Sequence, residues 1–120
     1  MKEKYYVRVN DIQPEVRSGG RHSYPLIMPN ISGNTGFAMG YHELAPGSEG
    51  GPLHTHDGQV QEAFFFTKGK GVVTVDGVDY PIEQNVAAWA PPGIAHKITN
   101  TGTETLCFIW IYSPPKPEQL

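Results

Sequence analysis

Glycine and proline together fill 25 of the 120 positions, 14 and 11 respectively. The pair ordinarily takes about 12% of a chain and here takes about a fifth. Glycine costs backbone entropy inside a helix, and proline removes an N–H and clashes with the preceding turn. An architecture of long helices is therefore excluded. Disorder does not fit either, because 38% of the residues are hydrophobic, with two Trp, six Tyr and five Phe available for a core. At this length there is room for one core and little else. What remains is an all-β domain with many tight turns.

The order of the residues supports that class. Residues 4–9 predict a first short strand with Tyr5, Val7 and Val9 on one face. Residues 11–36 read as irregular, with an edge strand at 24–28. Further strands are expected at 37–44, 61–67, 72–75, 78–82, 86–90, 96–100 and 106–112. Asp76-Gly77, between two β-rich runs, predicts a two-residue type I′ hairpin. No helix is predicted. Strands at intervals of about 8–12 residues with turn chemistry between them indicate a sandwich or barrel, and closure would protect the edges of such apolar strands. The chain is read as an N-terminal strand and irregular arm (1–36), a β-barrel (37–113) and a short C-terminal tail (114–120).

Charge and composition narrow the partners. Nine basic residues against twelve acidic give a formal charge of −3. A nucleic-acid surface, which needs a basic stripe, is not expected. Five basic residues (Lys2, Lys4, Arg8, Arg17, Arg21) fall early but alternate with Glu3, Asp11 and Glu15, as on a solvated mixed surface. The single cysteine, Cys107, excludes an intrachain disulfide and fits a reducing compartment. The longest apolar run, residues 106–112, is far short of the roughly 20 residues of a membrane span. The first ten residues have no apolar core of a secretory signal. A cytoplasmic protein acting on a small molecule is expected, with no nucleic acid and no membrane as partner.

Three of the five histidines stand in suggestive company. His54 and His56 are two residues apart, so in an extended segment their imidazoles point the same way. Glu62 has the same parity on the next strand. His96 follows a Pro-Pro-Gly turn at the start of a later strand. Two or three imidazoles and one carboxylate converging inside a barrel make a divalent transition-metal site. A lone His-x-His more often decorates a loop, but the preceding stretch, Pro46-Gly47-Ser48-Glu49-Gly50-Gly51-Pro52, suits a loop delivering ligands to a barrel mouth.

These residues resemble the single-domain cupins of the small-barrel, cupin 2 type. The first motif reads HTHDGQVQEAFFFTKG, with His54, His56, Glu62 and Gly69. The second reads PPGIAHKITN, with Pro91, Gly93, His96 and Asn100 in register. Together they span residues 47–100. Three positions depart from the pattern. Ser48 takes the place of the opening glycine. Five residues separate His56 from Glu62, where three or four are usual, which makes Gln61 a rival ligand. Asn85 stands where the second motif begins with glycine, and Asn tolerates the left-handed turn better than most residues. The spacing from Glu62 to Gly69 and the metal affinity of a carboxylate favour Glu62. The resemblance implies an all-β fold, a single double-stranded β-helix (jelly-roll) barrel. It also implies one divalent metal ion per chain, held by His54, His56, Glu62 and His96. Iron or manganese is favoured by family habit, with zinc, nickel and copper as alternatives. Four protein ligands would leave up to two positions of an octahedral ion open to substrate.

Around that site, Phe64 and Phe66 share the parity of Glu62 and are expected to line the pocket or fill the barrel. Trp89 and Tyr41 are taken as pocket residues. His42 is the candidate acid–base group, against the alternative of a structural histidine. Arg21 and His22 are expected on a solvated loop. In the last strand Leu106, Phe108, Trp110 and Tyr112 share one face, and Cys107, Ile109 and Ile111 the other. Both faces are apolar, so one should meet a second sheet or a second subunit. With the long N-terminal arm this leads to the expectation of a homodimer.

Two classes of function follow. One is a metal-dependent enzyme on a small molecule, either a non-haem dioxygenase or a lyase, isomerase, hydrolase or decarboxylase. The other is a non-catalytic ligand-binding barrel.

Overall fold

The computed structural model describes residues 5–50, 55 and 58–120. Nine strands form two antiparallel sheets among these residues: β1 (Glu15–Arg17), β2 (Arg21–Ile27), β3 (Ala38–Leu44), β4 (Gln61–Lys68), β5 (Gly71–Val75), β6 (Val78–Ile82), β7 (Ala87–Ala90), β8 (His96–Asn100) and β9 (Leu106–Ser113). The larger sheet runs β1-β2-β3-β9-β4-β7 and the smaller β6-β5-β8. This is a jelly-roll barrel of nearly pure β structure. No helix among the described residues is long and apolar enough to cross a membrane.

Alternation decides which face is inside. Along β4 exposed and buried residues alternate from Gln61 to Phe66, so Glu62, Phe64 and Phe66 point inward. The register carries those positions across the sheet. Glu62 pairs with Tyr112 and Tyr112 with Ala38; Phe64 with Trp110 and Trp110 with Gly40; Phe66 with Phe108 and Phe108 with His42. These rows, with Leu44, Leu106, Val73, Ile82 and Ile98, form the core. Each fully buried Phe or Leu contributes about 1.5–3 kcal/mol through removal from water.

The hairpin joining β5 to β6 has Asp76 at φ 53° and Gly77 at φ 76°. Both central residues are left-handed, as type I′ requires, and the turn is the one predicted. Asn85, at φ 72°, adopts the left-handed turn in place of glycine.

The N-terminal arm differs from its expectation. Residues 5–9 form no strand, and Tyr5 and Tyr6 are exposed; an alternating pattern supplies no ladder without a neighbouring strand edge. Residues 15–27 add β1 and β2 to the sheet beside β3, and β2 takes in the edge strand expected at 24–28, beginning three residues earlier. Pro25 is tolerated in β2 because β1 reaches only as far as Ser23, leaving Pro25 on an open edge, and the register shifts just beyond it. One helical turn also forms, α1 (Pro29–Ser32), with proline at its first position, where the missing N–H costs nothing. The tail is ordered as well. Residues Pro117–Gln119 make a 3-10 turn, Gln119 is buried, and the Asn30 amide donates to the Glu118 carbonyl at 3.1 Å.

Asn100, the last residue of the second motif, has a structural task. It is 1% exposed. Its side-chain amide donates to the carbonyls of Leu44 and Glu104 at 2.9 Å each and its oxygen accepts from the Gly102 N–H at 3.0 Å. Those bonds fasten the end of β8 to β3 and close the turn into β9. Asn100→Ala removes the partner of the buried Leu44 carbonyl and of two part-buried groups in the turn, and should cost about 2 kcal/mol. Urea unfolding checks this, and a midpoint within error of the parent would contradict it.

Candidate functional site

Glu62 and His96 meet in the barrel interior from opposite sheets. Glu62 is 5% exposed and His96 2%. The His96 Nδ1 lies 2.9 Å from the Ile94 carbonyl, which can only accept, so Nδ1 carries the proton. The other nitrogen, Nε2, faces Glu62 Oε1 at 3.1 Å. Burial alone would lower the His96 pKa. The hydrogen bond to Glu62, the bond to Ile94 and the Glu62 charge outweigh it and raise the pKa.

Tyr112 stands beside Glu62 in the β4–β9 register and its hydroxyl bonds the carboxylate. Burial, then the Glu62 charge and that bond, push the phenol well above its usual range, so it stays protonated and donates. The Lys116 ammonium sits 4.5 Å over its ring. Aromatic rings make the walls. Phe64 lies 6.1 Å from the His96 ring, 6.3 Å from Phe66 and 6.0 Å from Phe108. Trp110 lies 5.2 Å from Tyr112, and its buried indole N–H has no hydrogen-bond partner among the described residues.

His42 points into the same interior, two rows from Glu62. Its Nε2 is 2.9 Å from the Ser23 hydroxyl, and its ring meets the edges of Phe108 and Trp110. Burial, then the positive charge of Arg17, lowers its pKa to about 4, against a smaller opposing pull from Glu62. The ring is neutral at pH 7 and so held that it suits packing better than proton transfer.

Other expected site residues fall elsewhere. Gln61 is exposed on the outside, pairing with Ser113, because its parity is opposite to that of Glu62. Tyr41 was expected in the pocket but lies on the outer face of β3, 5.8 Å from Tyr24, for the same reason of parity. Trp89, 55% exposed on β7, lines a cavity beside the Glu62–His96 interior rather than that interior itself. Arg21 and His22 belong to β2 rather than to a loop; Arg21 donates to the Gly50 carbonyl at 2.9 Å, and His22 lies 4.0 Å from Glu43. Cys107 is buried on β9.

His54 and His56 lie outside the described residues. The chain leading to them is tied to the strand of His96: the Gly50 N–H donates to the Ile98 carbonyl, and the Asn100 N–H to the Ser48 carbonyl. Among the described residues no group of three or more His, Cys, Asp or Glu converges. Glu62 and His96 themselves fit a divalent ion. The His96 Nε2 and the Glu62 carboxylate oxygen face each other in the buried interior, and both are atoms that can ligate a divalent ion once Nε2 gives up its proton. A proton on Nε2 bridges the two, and a divalent ion would displace it. Donors about 2.1 Å from one ion and at right angles around it are about 3.0 Å apart, close to the 3.1 Å found here.

Sequence reasoning passed over Tyr112 as a partner of Glu62 and Trp110 as a polar group. Their parity was readable, but the pairing of β9 with β4 was not.

Comparison with known proteins bears on this arrangement. A family model described as "Cupin domain" matches residues 40–112. The tetracenomycin polyketide synthase protein TcmJ of Streptomyces glaucescens is 30% identical over 93% of this chain and 74% of its own. Protein SchB of Streptomyces halstedii is 27% identical over 93% of this chain and 80% of its own. Among solved structures, a predicted oxalate decarboxylase from Thermotoga maritima superposes with a TM-score of 0.82 at 28% identity, covering 92% of this chain and 99% of that one. With the second motif in register and the barrel in place, the chain belongs to the cupin domain family.

Proposed function

We propose that the chain is a metal-dependent enzyme acting on a small carbonyl-rich molecule. Glu62 and His96, with His54 and His56 from the adjoining segment, would hold one divalent ion, iron or manganese before zinc, nickel or copper. The observation that carries this reading is the buried approach of Glu62 Oε1 to His96 Nε2 at 3.1 Å, with Nδ1 already committed to Ile94. When bound, a divalent ion supplies Lewis acidity that polarises a carbonyl oxygen.

The chain's own groups do the rest. The Ile94 carbonyl fixes the His96 tautomer and ring orientation. Tyr112 donates to the Glu62 carboxylate and holds its orientation. The Trp110 N–H offers a fixed donor to a second substrate oxygen, and an acceptor there recovers the penalty of about 1–3 kcal/mol that a buried unsatisfied donor carries. The rings of Phe64, Phe66 and Phe108 exclude water and favour a compact, partly aromatic substrate over a sugar, whose hydroxyls would go unpaired. The names of the relatives agree in kind, since polyketides and oxalate are both dense in carbonyl or carboxylate oxygen.

Acetylacetone tests the reading. Metal-loaded protein in D2O should speed deuterium exchange at its central carbon, read by NMR, with the oxygen electrode silent. Oxygen consumption in place of exchange would move the assignment to a dioxygenase. Neither exchange nor oxygen consumption, with catechols and keto acids also inert, would leave a ligand-binding barrel.

A further inference from the structure

The two sheets part where their edge strands β6 and β7 face each other. A cavity of about 520 Å³ opens there, its walls including Val75, Tyr80, Ile82, Val86, Ala88 and Trp89. That is the size of a small-molecule pocket. None of its lining side chains carries a charge; the Tyr80 hydroxyl and Trp89 indole N–H are its polar side-chain groups. Tyr80 and Trp89 stand at the opening, 50% and 55% exposed. Large aromatic residues left this open beside a cavity are not explained by folding, which gains nothing from them there.

The cavity adjoins the site already described. Val75 pairs with His96 across β5 and β8. Ala88 pairs with Phe64, and Ala90 with Glu62, across β4 and β7. The alanines of β7 leave the space that a larger residue would fill. From this we infer that the cleft holds the aromatic body of the substrate, a flat aryl ketone of two or three rings whose carbonyl reaches toward Glu62 and His96. The inference rests on the carbonyl reading above and adds the class of compound. Two aromatic side chains at the mouth suit a flat ring system by stacking, and an uncharged apolar lining gives hydroxyls or charges no partner.

The probe is 6-propionyl-2-(dimethylamino)naphthalene, a two-ring aryl ketone whose emission moves to the blue in apolar surroundings. It is titrated into metal-stripped and metal-loaded protein. Saturable binding at one probe per chain is expected in both forms. The double variant Tyr80→Ser/Trp89→Ser should weaken it at least about tenfold, and Ala88→Phe should abolish it, both with metal content unchanged. Should Ala88→Phe fail to fold, the exposed double variant decides alone. Binding indifferent to these changes overturns the inference. So does binding that vanishes as the chain dimerises in sedimentation, which would assign the cleft to a second copy. Metal content read in parallel separates the two ideas. A chain without metal that still binds the probe in the cleft contradicts the functional reading alone. A metal-bearing chain that ignores the probe contradicts the cleft alone.

Discussion

Gly40→Ala is expected to destabilise this barrel by about 3 kcal/mol, at the upper end of what overpacking usually costs. Gly40 faces inward on β3, directly opposite Trp110. A Cβ built there would fall 2.1 Å from Cζ2, 2.4 Å from Cε2 and 2.8 Å from Cη2 of the indole. Those are rigid ring atoms. The indole in turn is packed against Tyr112 at 5.2 Å and His42 at 5.8 Å, so it has little room to retreat. The whole row would have to shift: Trp110, then Phe64 beyond it. For a domain of this size the loss corresponds to a fall in Tm of roughly 10 °C or more, read by calorimetry. Adding Trp110→Phe, which takes away the clashing ring, should recover part of it. A Tm unchanged by Gly40→Ala would mean that Trp110 does not lie across the glycine.

Glu62→Gln should lower affinity for a divalent ion by at least about a hundredfold while leaving the fold in place. The amide keeps the volume of the carboxylate and can still accept from Tyr112, so packing is preserved. The charge is lost, and a neutral amide is a far weaker ligand than a carboxylate. His96→Ala should do more. It removes a ligand and leaves Glu62 buried without the imidazole that faced it at 3.1 Å, a change that typically costs about 3–5 kcal/mol. Gln61→Ala is the control, because Gln61 lies on the outside and should leave metal binding untouched. Titration calorimetry with Mn(II) or Zn(II) on the three variants reads these differences. A chain that keeps its affinity in Glu62→Gln and loses it in Gln61→Ala would reverse the ligand assignment.

Much of this molecule was legible because its local rules are strict. Period-two alternation alone put Glu62, Phe64 and Phe66 inside and Ala63 and Phe65 outside. It divided β9 into the face of Phe108, Trp110 and Tyr112 and the face of Cys107, Ile109 and Ile111. The Asp76-Gly77 turn and the left-handed Asn85 follow from backbone sterics that need no tertiary partner. What was missed is mostly strand pairing. Strand order is not written in a sequence, so a pairing such as β9 between β3 and β4 could not be foreseen. That pairing brings Tyr112 to Glu62 and Trp110 to Gly40. It also carries β3, to which the run from Arg21 to Ile27 attaches, a strand that starts three residues before the edge strand expected at 24–28. The pattern at residues 5–9 had the opposite fault, alternation with no strand edge to receive it. Tyr41 was assigned to the pocket on residue type, where parity along β3 places it outside.

Glu62 and His96 are proposed as ligands of a resident divalent ion. The most direct measurement is elemental analysis of the chain purified without chelator from cells supplied with iron, manganese and zinc, beside His96→Ala prepared in the same way. The parent should carry close to one divalent ion per chain and the variant almost none. Less than about a tenth of an ion per chain in the parent, or a content that His96→Ala does not change, would contradict it.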